Sequence, residues 1–278
     1  RMWLRDYHVD GLRLDAVHAL FDSAAVPFLE ELSARIGDLA ADVGRPLYLI
    51  AESDRNDPRT VTDRAAGGLG MDAQWSDDFH HTLHTLLTGE RAGYYEDFGT
   101  VADLATALTE VFVYAGRFSP HRDRTHGRPA GELPGHRFLG YLQNHDQVGN
   151  RAAGERMAEL SSYARQRIGA AFVLLGPFIP MLFQGEEWAA SSPFLYFTDH
   201  DDPDLGRAVT EGRRAEFAYF GWRPEDVPDP QAEATFLASK LRWAESDGGE
   251  HAAMRRWYRD LLAIRTAHPA VRACDRSA

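Results

Sequence analysis

Three apolar runs in the sequence, far apart along the chain, each lead into a carboxylate. The first run ends at Asp15, the second at Glu52, and the third enters a polar segment that holds Asp146. An apolar run of about five residues between turn-forming residues is typical of a strand buried on both faces. A charged group at the end of such a strand has to lie in a cleft or a paired site, because burying it alone is costly. The pattern therefore predicts a parallel sheet with acids gathered at one end.

The order of the predicted elements is that of an α/β fold of the (β/α)8 barrel type. In such a barrel every strand brings its carboxyl end to the same face, so acids distant in sequence can meet there. Strands are predicted at about 11–15, 47–52, 71–75, 138–144 and 178–184, and helices at about 24–39, 77–88, 101–115, 156–175 and 252–267.

Two aspartates and a glutamate in one cleft suit glycoside hydrolysis. One ionised carboxylate attacks the reacting sugar, while a second, protonated carboxyl gives its proton to the leaving oxygen. Arg13 lies two residues before Asp15 on the same face of the predicted strand, and its cation favours the charged form that a nucleophile needs. Glu52 follows LYLIA without a basic neighbour before Arg55, which suits a general acid. For each acid alone, the alternative is a cap on the following helix.

Short segments around these acids resemble signature segments of a known family. They resemble three of the four signature segments of the α-amylase superfamily of glycoside hydrolases, namely GLRLDAVH at 11–18, AES at 51–53 and QNHD at 143–146. The resemblance implies that Asp15 is the nucleophile, Glu52 the acid/base and Asp146 the acid that stabilises the transition state. It also implies that Arg13 and His145 lie in the sugar subsite beside the nucleophile.

Longer segments resemble one group within this superfamily, the maltooligosyltrehalose trehalohydrolases. These segments are 52–59, 72–95, 143–156 and 183–200. The resemblance implies hydrolysis, with retention, of the α-1,4-glucosidic bond next to the trehalose unit of an oligosaccharide substrate. It implies neither a cofactor nor a metal. The substrate-binding residues that it suggests are Arg13, His18, Asp72, Trp75, Asp77, Asp78, Phe79, His80, Asn144, His145 and Gln147.

The same resemblance gives an expectation for the domain organisation. The five predicted strands would be the fourth to eighth strands of a partial (β/α)8 barrel, so residues 1–278 are expected to form the C-terminal portion of a catalytic barrel. Insertions are predicted at about 116–137 and 188–250, and the glycines and prolines of the first are typical of a mobile loop. Without its first three strands a barrel would leave parallel edges unpaired, so we expect a fragment of a longer enzyme.

Composition excludes some classes of protein. The chain has 30 basic and 42 acidic residues and a net charge of −12, which argues against a nucleic-acid partner. Cys274 is the only cysteine, so no disulfide can form within the chain, and no run of about 18 apolar residues predicts a membrane span. His80 and His84 have a spacing that would permit zinc, but no third ligand accompanies them. A cytoplasmic location follows from the resemblance alone, and the sequence predicts no oligomeric state.

Two other functions are compatible with the sequence. One is a transglycosidase of the same superfamily, such as a glycogen branching enzyme, in which a sugar hydroxyl replaces water as acceptor. Around the third acid, those enzymes have a segment closer to SHDE than to the NHDQ found here at 144–147. The other is a non-catalytic fragment that binds maltooligosaccharides. Product analysis distinguishes the three.

Overall fold

The protein divides into two compact units, each formed by separate stretches of the chain. The computed structural model describes residues 1–219 and 223–277. The first unit contains Arg1–Tyr141, Val173–Met181 and Ile264–Ala278, and the second contains Leu142–Phe172 and Leu182–Ala263. The two units are described separately below.

A parallel sheet forms the centre of the first unit. Its strand order is β1-β2-β3-β6-β7, and each neighbouring pair is parallel. All five predicted strands are therefore confirmed, although each is shorter than predicted. The strands in chain order are β1 Gly11–Leu14, β2 Tyr48–Ala51, β3 Ala73–Trp75, β4 Arg117–Ser119, β5 Arg124–His126, β6 Phe138–Gly140 and β7 Ile179–Pro180.

Helices connect the strands of the sheet, and further helices lie in the second unit. Those described are α1 Met2–Arg5, α2 Phe28–Val43, α3 Asp77–Thr88, α4 Val101–Glu110, α5 His145–Gly149, α6 Met157–Leu160, α7 Tyr163–Leu175, α8 Pro203–Tyr219, α9 Glu233–Ala238, α10 Gly249–Ala267 and α11 Pro269–Arg272. The predicted bounds of α3 are confirmed. The helix predicted at about 156–175 is instead two helices, because the backbone is extended at Ser161.

Short 3-10 helices occur at several turns of both units. They span Val17–Ala19, Pro58–Thr60, Arg64–Ala66, Gly93–Tyr95, Gly135–Arg137, Glu186–Trp188, Pro224–Asp226 and Trp243–Asp247. Within residues 1–219 and 223–277, no helix has the length and apolar character needed to cross a membrane. The same residues contain no group of three or more His, Cys, Asp or Glu side chains that could hold a metal ion.

Local sequence explains where several helices begin and end. Thr100 and Asp103 form a capping box at the start of α4, in which each side chain accepts a hydrogen bond from the other residue's backbone N–H. Helix α2 ends at Gly44, whose φ of 68° lies in the left-handed region that glycine adopts without strain. These signals are local, which is why the sequence predicts the elements well.

Aromatic packing holds α3 against the sheet. Phe79 on α3 is fully buried, and its ring meets that of Phe178 edge to face with centroids 5.4 Å apart. Gly140 at the end of β6 makes room for them, since a Cβ there would lie 3.1 Å from Phe79 and 3.2 Å from Phe178. The start of α3 is thereby fixed at the carboxyl end of β3.

The predicted mobile loop at about 116–137 is partly ordered. Strands β4 and β5 form an antiparallel hairpin within it, with Arg117 opposite His126 and Ser119 opposite Arg124. Side-chain contacts with the segment after β2 hold this hairpin, and the sequence pattern does not reveal those contacts. The region therefore contains a short hairpin where the sequence predicts only a loop.

The predicted insertion at about 188–250 contains two helices of the second unit, α8 and α9. The sequence predicts a helix over 210–222, and the observed helix α8 begins earlier, at Pro203, and is described as far as Tyr219. Residues 220–222 of the predicted helix lie outside the described residues.

Candidate active site

One arginine joins two of the three predicted catalytic acids. Arg13 on β1 donates to Asp15 through Nη1 at 2.5 Å, and its Nη2 lies 3.6 Å from Oε2 of Glu52. Asp15 directly follows β1 and Glu52 directly follows β2. Because the two strands are parallel neighbours, their carboxyl ends bring both acids to one guanidinium. The predicted proximity of Arg13 and Asp15 is confirmed.

The turn after Asp15 is tied to Glu52 by its backbone. Ala16 has a φ of 42°, a left-handed conformation that is uncommon without glycine, and its N–H donates to the Glu52 carboxylate. Val17 N also donates to the backbone oxygen of Glu52, over 3.1 Å. The Asp15 side chain is 78% exposed, whereas that of Glu52 is 20% exposed. Asp15 is thus open to a ligand, and Glu52 is held beneath it.

Two aromatic residues connect Arg13 to the start of helix α3. The Arg13 guanidinium lies over the Trp75 ring, 4.5 Å from its centroid, which allows a cation–π interaction. Trp75 meets Tyr141 edge to face, with centroids 5.6 Å apart. The hydroxyl of Tyr141 donates to the carboxylate of Asp77, the first residue of α3. Trp75 and Tyr141 therefore connect Arg13 to Asp77, and the sequence analysis did not identify Tyr141.

Asp77 differs electrostatically from an exposed carboxylate. Burial, together with the negative charges of Asp54, Asp78 and Glu52, raises the pKa of Asp77 to about 7, although the hydrogen bond from Tyr141 opposes this effect. Asp77 thus carries a proton over much of the range in which an ordinary aspartate is ionised.

The raised pKa of Asp77 predicts a pH-dependent stability. Between the ordinary pKa of 3.8 and about 7 the folded protein keeps a proton that the unfolded chain releases. This stabilisation is fully present below about pH 4 and is lost as the pH rises through 7. Asp77→Asn removes the titrating group, so the variant should not lose this stabilisation. As the pH is raised from about 4 to about 8, its free energy of unfolding should therefore increase by about 2 to 4 kcal/mol relative to that of the native protein.

Chemical unfolding of Asp77→Asn and of the native protein, at about pH 4 and at about pH 8, measures this difference. Asp63→Asn is the control, since that carboxylate is 76% exposed and paired with Arg137. If the difference in free energy of unfolding between Asp77→Asn and the native protein did not change with pH, the raised pKa of Asp77 would be contradicted.

The β4–β5 hairpin reaches the same end of the sheet. Arg122 in its turn donates to Asp54 at 3.0 Å, two residues after Glu52, and only 9% of the Arg122 side chain is exposed. His126 Nε2 bonds to the backbone oxygen of Asp54 at 2.8 Å. His18 lies in the turn after Asp15. Burial alone would raise the pKa of Asp54, but the hydrogen bond and charge of Arg122, with smaller contributions from His18 and His126, lower it. The hairpin therefore lies at the carboxyl end of the sheet.

Asp72 lies away from the other candidates. It precedes β3, and its carboxylate accepts from Leu49 N on β2 at 2.7 Å. This places Asp72 at the amino end of β3, whereas Trp75 and Asp77 lie at or beyond the carboxyl end. The predicted grouping of Asp72 with these residues is therefore corrected, because a three-residue strand separates them.

Three further candidates in α3 are buried beneath the sheet's end. Asp78 accepts from Asn56 Nδ2 at 3.0 Å and Tyr114 N at 2.9 Å, and Phe79 packs as described above. His80 Nε2 bonds to the Tyr95 hydroxyl at 3.1 Å. All three candidate residues are at most 1% exposed. In this structure Asp78, Phe79 and His80 hold the protein together and do not face solvent.

The second unit carries the remaining candidates on one short helix. The side chain of Asn144 accepts from Asp146 N at 2.8 Å and Gln147 N at 3.2 Å, and so caps the start of α5. His145 Nε2 lies 3.5 Å from Asp146 Oδ1, and both side chains are more than 40% exposed, at 49% and 42%. Asn144 and the Gln147 backbone thus shape the turn that presents His145 and Asp146.

Similarity to known proteins agrees with the geometry of the first unit. A crystal structure from Salmonella typhimurium assigned to the alpha amylases matches 99% of this chain and 47% of its own, with a TM-score of 0.89 and 41% identity. No family model matches the chain. The parallel sheet and this structural match define an α/β protein of the α-amylase type.

The curated relatives of this chain belong to one group of enzymes within that type. A malto-oligosyltrehalose trehalohydrolase from Arthrobacter ramosus is 52% identical over 268 residues, which are 96% of this chain and 47% of the relative. One from Mycobacterium tuberculosis is 51% identical over 265 residues, 95% of this chain and 46% of the relative. The chain is a relative of the malto-oligosyltrehalose trehalohydrolases, and it spans about half the length of the curated relatives it matches.

Proposed function

We propose that the protein hydrolyses the α-1,4-glucosidic bond next to the trehalose unit of maltooligosyltrehalose and releases trehalose. The observation that carries this proposal is the pair of carboxylates, Asp15 and Glu52, on the single guanidinium of Arg13. The names of the relatives that are about half identical to this chain support the choice of substrate. We also infer that the five parallel strands are the fourth to eighth of a (β/α)8 barrel and that residues 1–278 are its C-terminal portion.

The first chemical step uses Asp15 and Glu52. The exposed Asp15 carboxylate attacks the anomeric carbon, and the bond from that carbon to the trehalose oxygen breaks. Glu52 gives its proton to that oxygen, so trehalose leaves as a neutral alcohol. Arg13 stabilises the negative charge of Asp15 before the attack. The maltooligosyl group is then joined to Asp15 as an ester.

The second step returns the protein to its starting state. Glu52, now ionised, accepts a proton from a water molecule, whose oxygen attacks the same anomeric carbon. The ester bond to Asp15 breaks, and the maltooligosaccharide leaves with the configuration of the substrate retained. Neither step consumes an oxidant, a reductant or a metal ion.

The remaining candidates receive binding roles in the proposal. Asp146 and His145, presented by α5, would bind hydroxyls of the reacting sugar and favour its distorted ring. In the first unit Trp75 would support Arg13 from below, and Asp77 would contribute a polar group. Asp78, Phe79 and His80 are at most 1% exposed, and the proposal gives them no substrate contact.

The expected products test the proposed substrate. Maltopentaosyl trehalose should give trehalose and maltopentaose, whereas maltoheptaose, with the same number of glucose units but no trehalose end, should be cleaved at least about tenfold more slowly. Chromatography of timed samples measures both rates.

Each alternative function has its own outcome in this assay. Branched glucan without trehalose would indicate the transglycosidase, because a sugar hydroxyl would then be the acceptor. Binding of the substrate without any turnover would indicate a non-catalytic sugar-binding protein. Either result would contradict the proposed hydrolysis.

A further inference from the structure

An arginine from the predicted insertion at about 188–250 is bonded to the end of helix α5. Arg213 lies on α8, and its side chain is 12% exposed. Its Nη2 donates to the backbone oxygen of Gly149 at 2.7 Å, and its Nη1 donates to Oδ1 of Asn150 at 3.1 Å. Nη1 also lies 3.8 Å from the Glu216 carboxylate. The partners at the end of α5 are 64 and 63 residues away in the chain.

Two aromatic rings fix the position of this guanidinium. It lies over the ring of Tyr196, 4.6 Å from the centroid, and over the ring of Phe217, 4.8 Å from the centroid. Both distances allow cation–π interactions. Because a mostly buried cation is costly unless it is paired, Arg213 is held where these rings and the polar partners on α5 meet.

Helix α5 depends on support at both of its ends. It spans only His145–Gly149, and so short a helix has little stability of its own. The Asn144 side chain caps its first turn. The carbonyl groups of a last turn have no partners within the helix, and a cation is favourable there. Arg213 supplies both a donor and a cation at that end, so Asn144 and Arg213 together hold α5.

A second hydrogen bond connects the Arg213 contact to Asp146. Asp146 is the second residue of α5, and its side chain is 42% exposed, so its direction depends on the backbone that carries it. The backbone oxygen of Asp146 accepts from Asn150 N at 2.9 Å. The residue whose side chain Arg213 holds is therefore bonded through its backbone to Asp146. A movement of Asn150 changes the support of that backbone.

We propose that Arg213 is a positioning residue for Asp146, acting through Asn150 and the backbone of Gly149. The inference rests on the proposed function for its kinetic consequence, since Asp146 is proposed there to bind the reacting sugar. The contacts that carry it lie within the second unit. Arg213 thus acts on the reaction without touching the substrate.

Substitution of Arg213 tests the proposal by kinetics. Arg213→Met removes both donors and keeps an unbranched apolar side chain between the two rings. It should lower kcat by about 10- to 100-fold, because misplacing a reacting group by about 1 Å can cost about 100-fold, with KM changed less than about threefold. Arg207→Met is the matched control on the same helix, since Arg207 is 67% exposed and pairs with Asp204. Its kcat should stay within about twofold of native.

Combination with Asp146→Ala separates positioning from a general effect on the structure. If Arg213 acts through Asp146, adding Arg213→Met to Asp146→Ala should lower kcat by less than about threefold further. A further loss as large as that caused by Arg213→Met alone would show that Arg213 acts elsewhere, and would overturn the inference.

Amide hydrogen exchange provides a measurement that does not need turnover. The amide of Asn150 is bonded to Asp146, and the amides of Asp146 and Gln147 are bonded to Asn144. Peptides covering 145–151 should exchange at least about tenfold faster in Arg213→Met, but not in Arg207→Met. If Arg213→Met does not fold, Asn150→Ala removes one of the same hydrogen bonds from the other side. It should show the same faster exchange and a lower kcat.

The outcomes separate this inference from the proposed function. Native exchange over 145–151 in Arg213→Met or Asn150→Ala would overturn the inference, whatever the activity. Equal losses of kcat in Arg213→Met and Arg207→Met would also overturn it, since the loss would then follow from the missing charge alone. Absence of trehalose release by the native protein, with faster exchange in Arg213→Met, would overturn the proposed function and leave the positioning of Asp146 supported.

Discussion

Asp15→Asn is expected to lower kcat for trehalose release by about four orders of magnitude, or about 5.5 kcal/mol of transition-state stabilisation. The amide keeps the shape of the side chain but cannot form the ester with the anomeric carbon. Arg13 would lose the negative charge on its closest partner, the Asp15 oxygen at 2.5 Å, while its contact with Glu52 remains. KM should change little, because the exposed side chain contributes mainly to the chemical step. Initial rates on maltopentaosyl trehalose measure both constants.

Asp10→Asn is the matched control for this substitution. Asp10 lies just before β1, at its other end, and pairs with Arg45, so it loses the same charge on the same strand. Its kcat should stay within about twofold of native. A loss of less than about tenfold in Asp15→Asn would show that another group is the nucleophile.

The complementary variant Glu52→Ala distinguishes the two acids. With a maltooligosyl fluoride, whose leaving group needs no proton from Glu52, the ester on Asp15 can still form in this variant. Azide can then replace the activated water and attack that ester, so added azide should restore turnover of the fluoride and give a glycosyl azide. The same addition should not rescue Asp15→Asn, in which no ester forms. Rescue of both variants, or of neither, would contradict the assigned roles.

Phe79→Ala is expected to lower the free energy of unfolding by about 3 to 5 kcal/mol, the largest effect on stability predicted here. Phe79 is fully buried, and its ring fills the space between the Gly140 backbone and Phe178. Removing the ring leaves a cavity that these neighbours cannot close without moving β6 or β7. Urea unfolding followed by circular dichroism measures the change.

The same variant tests whether Phe79 binds substrate. If the ring acts only in packing, KM at a temperature well below the unfolding transition should remain within about twofold of native. Phe21→Ala is the control for stability, since Phe21 is 87% exposed and its loss should cost less than about 0.5 kcal/mol. A large rise in KM with an unchanged free energy of unfolding would show that Phe79 binds substrate.

Local patterns in the sequence predicted the strands of the parallel sheet and helix α3, but not the β4–β5 hairpin of the same unit. The apolar runs predicted five parallel strands in their observed order, and the bounds of α3 at Asp77 and Thr88 were predicted correctly. The period of two residues along β1 also predicted that Arg13 and Asp15 lie together. Each of these features depends on residues that are close in sequence, where backbone geometry decides which side chains are neighbours.

Other features of the site depend on contacts that no local pattern encodes. The Tyr141 hydroxyl reaches Asp77 across 64 residues, and Arg122 reaches Asp54 across 68. The family resemblance grouped Asp72 and Phe79 with Asp77 as substrate-binding residues, whereas the fold puts one at the opposite end of β3 and the other in the core.

The sequence by itself determined the strands of the parallel sheet, helix α3 and the acids that follow the first two strands, because hydrophobic periodicity and capping act within a few residues. The tertiary structure alone decided which candidates are exposed and which are buried. It brought the β4–β5 hairpin to Asp54 and the Tyr141 hydroxyl to Asp77. These contacts join residues distant along the chain, and they form only when the packed elements exclude water between them.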